Sequence, residues 1–144
     1  MSSKDDKFQF HYPIRVRYVE TDAQGHVFFG NYYTYFDVAM IEYMRAVGFS
    51  YQDLLEARMD LLYVESLCQH KSPTYFDELL NVHTRIGQIG DSSITFEFAI
   101  YKDGSDQLVA TGHIVAINVD KDTRQKMRVP DALRQAVREY ETSG

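Results

Sequence analysis

Tryptophan is missing from the chain, and cysteine occurs once, at Cys68. A lone thiol excludes an internal disulfide and suits a reducing compartment. No run of about 18 apolar residues is present, which excludes a hydrophobic membrane-spanning helix. The opening MSSKDDKFQF is polar and lacks the apolar core of a signal peptide, so the chain reads as cytoplasmic. Positive charge is short as well: 15 Lys and Arg against 21 Asp and Glu leave a net −6. That balance argues against nucleic acid as a partner, because neutralising phosphates takes a basic face. His11, His70, His83 and His113 are scattered, none at metal-ligand spacing with another His, Cys68 or an acid, so no metal is expected. A G-x-S-x-G elbow and a phosphate-binding glycine loop are both lacking, which disfavours a serine nucleophile.

What is present is aromatic. Eleven Tyr and nine Phe fall within 144 residues, enough chain for one domain with a real core. Repeats, low-complexity segments and linkers are not evident, so residues 1–144 read as a single domain with a flexible tail at 1–7. From Phe8 to Val19 apolar and polar residues alternate loosely, as in a strand, and Pro13 places it at an edge or a bulge. Asn31 to Val47 carries Tyr32, Phe36, Ala39, Met40, Tyr43 and Val47 at helical spacing. The remaining positions are nearly as apolar, which predicts a helix buried on most sides, stopped by Gly48. A short helix over Tyr51–Arg58 follows, with Ser50 as its cap. Four strands are predicted at Leu61–His70, Leu79–Ile89, Ser93–Tyr101 and Leu108–Val119, with a hairpin turn at 102–105. Pro130 opens a short C-terminal helix that ends near Tyr140. One long helix and about five strands make an α+β domain, an antiparallel sheet curled around the helix. A sheet of this size leaves an edge unpaired, so pairing with a second copy is expected.

The chain is organised around residues 17–48. Asp22 lies in a loop that contains Gly25 and runs directly into the aromatic helix. A carboxylate aimed at a helix N-terminus suits attack on a carbonyl, because the free amides of the first turn can hold the oxyanion that forms. Asp in a loop is also a common turn cap, so the residue type alone leaves both readings open.

The run V-E-T-D-A-Q-G-H-V-F-F-G-N-Y-Y-T-Y-F-D, residues 19–37, resembles the active-site segment of hot-dog-fold acyl-CoA thioesterases of the 4-hydroxybenzoyl-CoA thioesterase family. S-P-T-Y-F-D-E-L at 72–79, D-S-S-I-T-F-E-F at 91–98 and A-T-G-H-I-V at 110–115 continue the likeness, in order, over essentially the whole chain. The resemblance implies a hot-dog fold, with an antiparallel sheet of about five strands wrapped around a long central helix. It matches Asp22 to the catalytic carboxylate. Phe29 falls where a backbone N–H polarises the thioester carbonyl, and Asn31 and Tyr32 match a helix-opening N-Y. His26 is shared with part of the family. It is placed to orient substrate or hold the Asp22 side chain, or to face solvent or a subunit interface.

Asp37 and Glu42 are rival acids, since some hot-dog thioesterases carry their acid on the helix. Glu42 and Arg45, three apart, fit a surface ion pair better. Lys121, Arg124, Lys126 and Arg128 form a basic cluster in an acidic chain, which Arg85 and Lys71 are able to join. Such a cluster serves coenzyme A phosphates or is simply a solvated turn. Ser92 and Ser93, with neighbouring amides, are further candidates for substrate binding.

The expected activity is hydrolysis of an acyl-CoA to a free acid and CoA. Asp22 would be nucleophile or general base, and the amide near Phe29 the oxyanion hole. No cofactor is implied, because CoA belongs to the substrate. A homodimer or homotetramer is expected, with no nucleic-acid or membrane partner. The alternatives are a hot-dog dehydratase or hydratase acting on acyl thioesters, and a non-catalytic acyl-CoA-binding protein.

Overall fold

The computed structural model describes residues 7–143. Strand β1 (Phe10–Arg15) is followed by a 3-10 turn (Tyr18–Glu20), helix α1 (Asn31–Val47) and helix α2 (Tyr51–Glu56). Strands β2 (Met59–His70), β3 (Leu79–Ile89), β4 (Ser93–Lys102) and β5 (Leu108–Asp120) come next, then helix α3 (Asp131–Thr142). The strands form one antiparallel sheet in the order β1-β3-β4-β5-β2. The fold is α+β and hot-dog, as expected, with the long helix packed on the sheet. Apart from Lys7, the tail expected at 1–7 lies outside the described residues.

The helical spacing of α1 puts Tyr32, Tyr35, Phe36, Ala39, Met40, Tyr43, Met44 and Val47 on one buried face. Phe36 stacks on Phe98 of β4 with ring centroids 4.2 Å apart and planes 14° from parallel. Burial of rings this large is the main drive for docking the helix. The opposite face differs from the expectation of burial nearly all round. Tyr33, Val38 and Ile41 stay exposed in the single chain.

Pro13 sits on the edge strand, opposite Asn81, where its missing N–H costs the ladder little. The predicted strand to Val19 stops at Arg15 instead. The Glu20 carboxylate accepts the Arg17 N–H and the Arg17 guanidinium, which folds residues 17–20 into a tight turn. Helix α2 ends two residues short of Arg58, which takes a left-handed backbone, φ 60°. The other sheet edge is β2, twelve residues long and, among the described residues, paired with β5 on one side alone. Val64 is skipped in that pairing, as a β-bulge.

Candidate active site

Residues 21–30 form the loop between the 3-10 turn and α1. The Gly25 N–H donates to the Asp22 carbonyl (2.9 Å), and Gly25 needs φ 89° to make this turn. The Asp22 N–H returns to the His26 carbonyl at 3.0 Å, and Thr21 bridges Val27. The loop is tied outward as well: the Val27 N–H donates to the Thr74 carbonyl at 2.9 Å, and His26 bridges Tyr75. Asp22 is thus held on a short hairpin-like loop, half-buried. Its Oδ1 accepts the Gln24 N–H at 2.9 Å, while no donor among the described residues reaches Oδ2. One oxygen is fixed and the other is open, as a nucleophile or base requires.

The amides near the helix start separate into two groups. Those of Asn31, Tyr32 and Tyr33 donate to the carbonyls of Phe28, Phe29 and Gly30 at 2.9, 3.4 and 3.3 Å. These are first-turn amides that the sequence left free for an oxyanion, and short-range bonds take them up. The open donors lie just upstream, since neither the Phe29 nor the Gly30 N–H finds an acceptor among the described residues.

Asp22, Phe29, His26 and Tyr32 line one cavity of about 300 Å³, together with His70, Lys71 and Ser72 from the end of β2 and beyond. Tyr32 packs edge to face against His70. Burial, with added repulsion from Cys68 and Asp22, pushes the Tyr32 hydroxyl up to about 12, so it stays a protonated donor beside the acid. Burial alone raises the Cys68 thiol to about 11. The His26 Nδ1 lies 3.4 Å from the Val27 carbonyl.

Other candidates lie elsewhere within one chain. The Asn31 side chain donates to the Glu20 carbonyl at 2.9 Å and does not line the cavity. Arg85 pairs with Glu97 at 2.9 Å across β3 and β4. Arg124 pairs with Asp60 at 2.5 Å, and Arg128 with Asp91 and Asp131 at 3.2 and 3.3 Å. Ser92 and Ser93 lie at the β3–β4 turn, where their carbonyls accept the Asn118 and Gly90 amides. Lys126 is exposed and bridges Val119. Lys121 and Arg124 border a second cavity of about 480 Å³, lined by Met40 and Met44 of α1 and by Leu54, Met59 and Leu61. None of Lys121, Arg124, Lys126 and Arg128 lines the Asp22 cavity within one chain. Neither rival acid lines the Asp22 cavity: Asp37 borders the second cavity, and Glu42 pairs with Arg45 at 2.9 Å. Among the described residues no three His, Cys, Asp or Glu side chains gather as a metal site needs.

His70, Lys71 and Ser72 were not singled out from the sequence as parts of this cavity. The available signal was position, directly before or within the S-P-T-Y-F-D-E-L segment that follows β2.

A family described as the thioesterase-like superfamily matches residues 16–137. The chain belongs to that superfamily. It is 30% identical over 113 residues to the acyl-CoA thioesterase YbgC of Haemophilus influenzae, covering 78% of this chain and 83% of that one. A gentisyl-coenzyme A thioesterase structure superposes with TM-score 0.78 at 29% identity, over 90% of this chain and 99% of the other. A DHNA-CoA thioesterase structure from Staphylococcus aureus gives TM-score 0.82 at 25% identity, over 91% and 89%. The matched span includes the Asp22 loop, all of α1 and four complete strands, so the superfamily assignment covers the whole cavity.

Proposed function

We propose that this superfamily member hydrolyses acyl-CoA thioesters, releasing a carboxylic acid and CoA. The observation that carries the reading is that one cavity is lined by Asp22, which has an oxygen without a donor among the described residues, and by Phe29, whose amide has no acceptor among them. The thioester carbonyl oxygen takes the Phe29 and Gly30 N–H bonds. Asp22 either attacks the carbonyl carbon or removes a proton from the attacking water. Negative charge grows on the carbonyl oxygen in both cases, and fixed amides stabilise it where it forms. The C–S bond then breaks and CoA leaves as its thiolate; where Asp22 is the nucleophile, water hydrolyses the acyl–Asp22 anhydride left behind, so both routes end in the free acid. The relatives named for acyl-CoA, gentisyl-CoA and DHNA-CoA thioester hydrolysis support CoA as the carrier. CoA is a part of the substrate and no separate cofactor takes part.

The site is shared by two copies in this reading. The bare β2 edge carries exposed Leu62, Tyr63, Val64 and Leu67, and the cavity rim carries exposed Phe28 and Phe29. Antiparallel pairing of β2 with its own copy sets the His70 end of one strand beside the Met59 end of the other. The Lys121 and Arg124 cations lie at the Met59 end. They then stand near the partner's Asp22, where CoA phosphates need charge. No helix among the described residues is long and apolar enough to cross a membrane. With its lone cysteine, the protein reads as cytoplasmic.

Release of free thiol from a panel of acyl-CoAs tests the activity. Turnover that follows enzyme concentration is the expected result, and binding of acyl-CoA without thiol release would overturn it.

A further inference from the structure

Glu20 is a buried acid that the reaction does not use. It is 7% exposed, and both its carboxylate and its carbonyl are fully engaged. Oε1 accepts the Arg17 N–H at 2.9 Å and the Tyr35 hydroxyl at 2.7 Å. Oε2 accepts Nε and Nη2 of Arg17, each at 2.8 Å. The Glu20 carbonyl accepts the Phe28 N–H and the Asn31 side-chain amide, both at 2.9 Å. One residue thus grips the turn before the Asp22 loop, the segment after it, and the first two turns of α1.

These bonds converge on one peptide unit. The Phe28 carbonyl and the Phe29 N–H belong to the same plane and point in opposite directions, because the peptide is trans. The Asn31 N–H holds that carbonyl at 2.9 Å. Asn31 is held in turn by its side chain on Glu20, and Phe28 by its N–H on Glu20. Tyr35 lies one turn beyond Asn31 on α1, so its bond to Oε1 fixes the helix against the same anchor. With the carbonyl end of the plane pinned, the direction of the Phe29 N–H is set.

We propose that Glu20 is a positioning residue that aims the Phe29 amide at the thioester oxygen through Asn31 and Tyr35. The proposal rests on the thioesterase reading for its effect on rate, but the coupling from Glu20 to the amide does not. Fixed donors act on charge that develops in the transition state, so misaiming them lowers turnover more than substrate binding.

The test uses the full chain with Glu20→Gln, Tyr35→Phe, Asn31→Ala and the Glu20→Gln/Tyr35→Phe pair. Measurements are kcat and KM on an acyl-CoA that the wild type turns over, and the nitrogen–proton signal of Phe29. Glu20→Gln is expected to lower kcat by roughly 10- to 100-fold, up to the loss seen on removing one oxyanion donor. KM should change by less than about 3-fold, and the Phe29 amide signal should shift. Tyr35→Phe and Asn31→Ala should give the same split with smaller losses. The double variant should lose little more than Glu20→Gln, because both changes act through the Phe29 amide. A folded Glu20→Gln protein with wild-type kcat, or one whose loss is all in KM, overturns the proposal. If Glu20→Gln does not fold, Tyr35→Phe and Asn31→Ala decide it by the same criteria. If the wild type hydrolyses no acyl-CoA, the thioesterase reading fails. The Phe29 amide signal then still decides the coupling: an unmoved signal rejects it, a shifted signal upholds it.

Discussion

Tyr32 and His70 meet edge to face, their ring centroids 4.7 Å apart and their planes at 81°. The contact joins the first turn of α1 to the last residue of β2 and closes one side of the Asp22 cavity. Phe29 lies edge-on to the same imidazole at 6.5 Å. His70 is thus an aromatic wall of the Asp22 cavity. His70→Ala should raise KM about 5-fold, the effect of losing roughly 1 kcal/mol of ring contact. Turnover should stay within about 3-fold, since Asp22 and the open amides are untouched. Steady-state kinetics on one short acyl-CoA check this, and a loss confined to kcat would place His70 in the chemistry instead.

The free edge of β2 predicts assembly. Light scattering at micromolar protein should give at least twice the chain mass of 16.7 kDa. Val64 is 60% exposed and sits at the bulge of that edge. Val64→Lys puts a charge where a second strand would add, a device natural edges use to stay single. The variant should shift toward monomer and lose most activity at low concentration. A fully active monomer would count against a shared site.

Cations sort by their place: Lys71 borders the Asp22 cavity and Arg124 the second cavity, whereas Arg85 lines neither and pairs with Glu97 across β3 and β4. Lys71→Ala and Arg124→Ala should raise KM for CoA thioesters several-fold, and less for short thioesters lacking the nucleotide, as loss of uniform binding does. Arg85→Ala should show no such preference. Equal effects on both substrate types for Lys71 and Arg124 would remove the phosphate assignment.

Acid should weaken the fold where carboxyls are held low. Burial works to raise the Glu20 carboxyl, but the Arg17 N–H, the Tyr35 hydroxyl and the Arg17 guanidinium outweigh it and hold it below the ordinary 4.5. Glu78 is also held low: burial is overcome by the Tyr75 N–H, the Thr74 hydroxyl and Lys102. A carboxyl held low in the folded state adds stability above its unfolded value, and that stability fades as pH falls toward the folded one. Melting temperature should therefore drop between about pH 5 and about pH 3. Glu20→Gln should flatten part of that drop while lowering the melting temperature at neutral pH. An unchanged acid slope in the variant would show that Glu20 does not titrate in this window.

Local pattern made most of this fold legible. Helix α1 and strand β3 occupy the spans that apolar spacing indicates, because their faces are regular and their ends carry breakers. The first strand is shorter than its alternation implies, since the Glu20 carboxylate draws Arg17 into a turn that no period reveals. Asp22 and Phe29 were legible through one contiguous motif. His70 and Lys71 join them through the end of a strand that follows α1 by many residues, a tertiary placement. The charge run at 121–128 was legible as charge but not as ion pairs, because Asp60 and Asp91 come from other segments.

The most direct prediction concerns Asp22. Its Oδ1 is fixed by the Gln24 N–H at 2.9 Å, Oδ2 has no donor among the described residues, and Asp22 lines the cavity. Asp22→Asn keeps the size, and its amide oxygen can keep the Gln24 bond, so the loop and the neighbouring amides should hold their places. What disappears is the negative charge and nearly all the basicity, and both nucleophilic attack and proton removal depend on them. Turnover should fall at least about 100-fold, the low end for a positioned acid–base group. Acyl-CoA binding should persist, because the rings and the cations are untouched. Asp37→Asn and Glu42→Gln serve as comparisons: Asp37 is exposed on α1, Glu42 pairs with Arg45, and neither borders the cavity. Both should retain turnover within about 3-fold of wild type. Thiol release and separate binding measurements on the three variants decide the matter. A folded Asp22→Asn protein at near wild-type turnover, with a large loss in Asp37→Asn or Glu42→Gln, would move the attacking acid onto the helix.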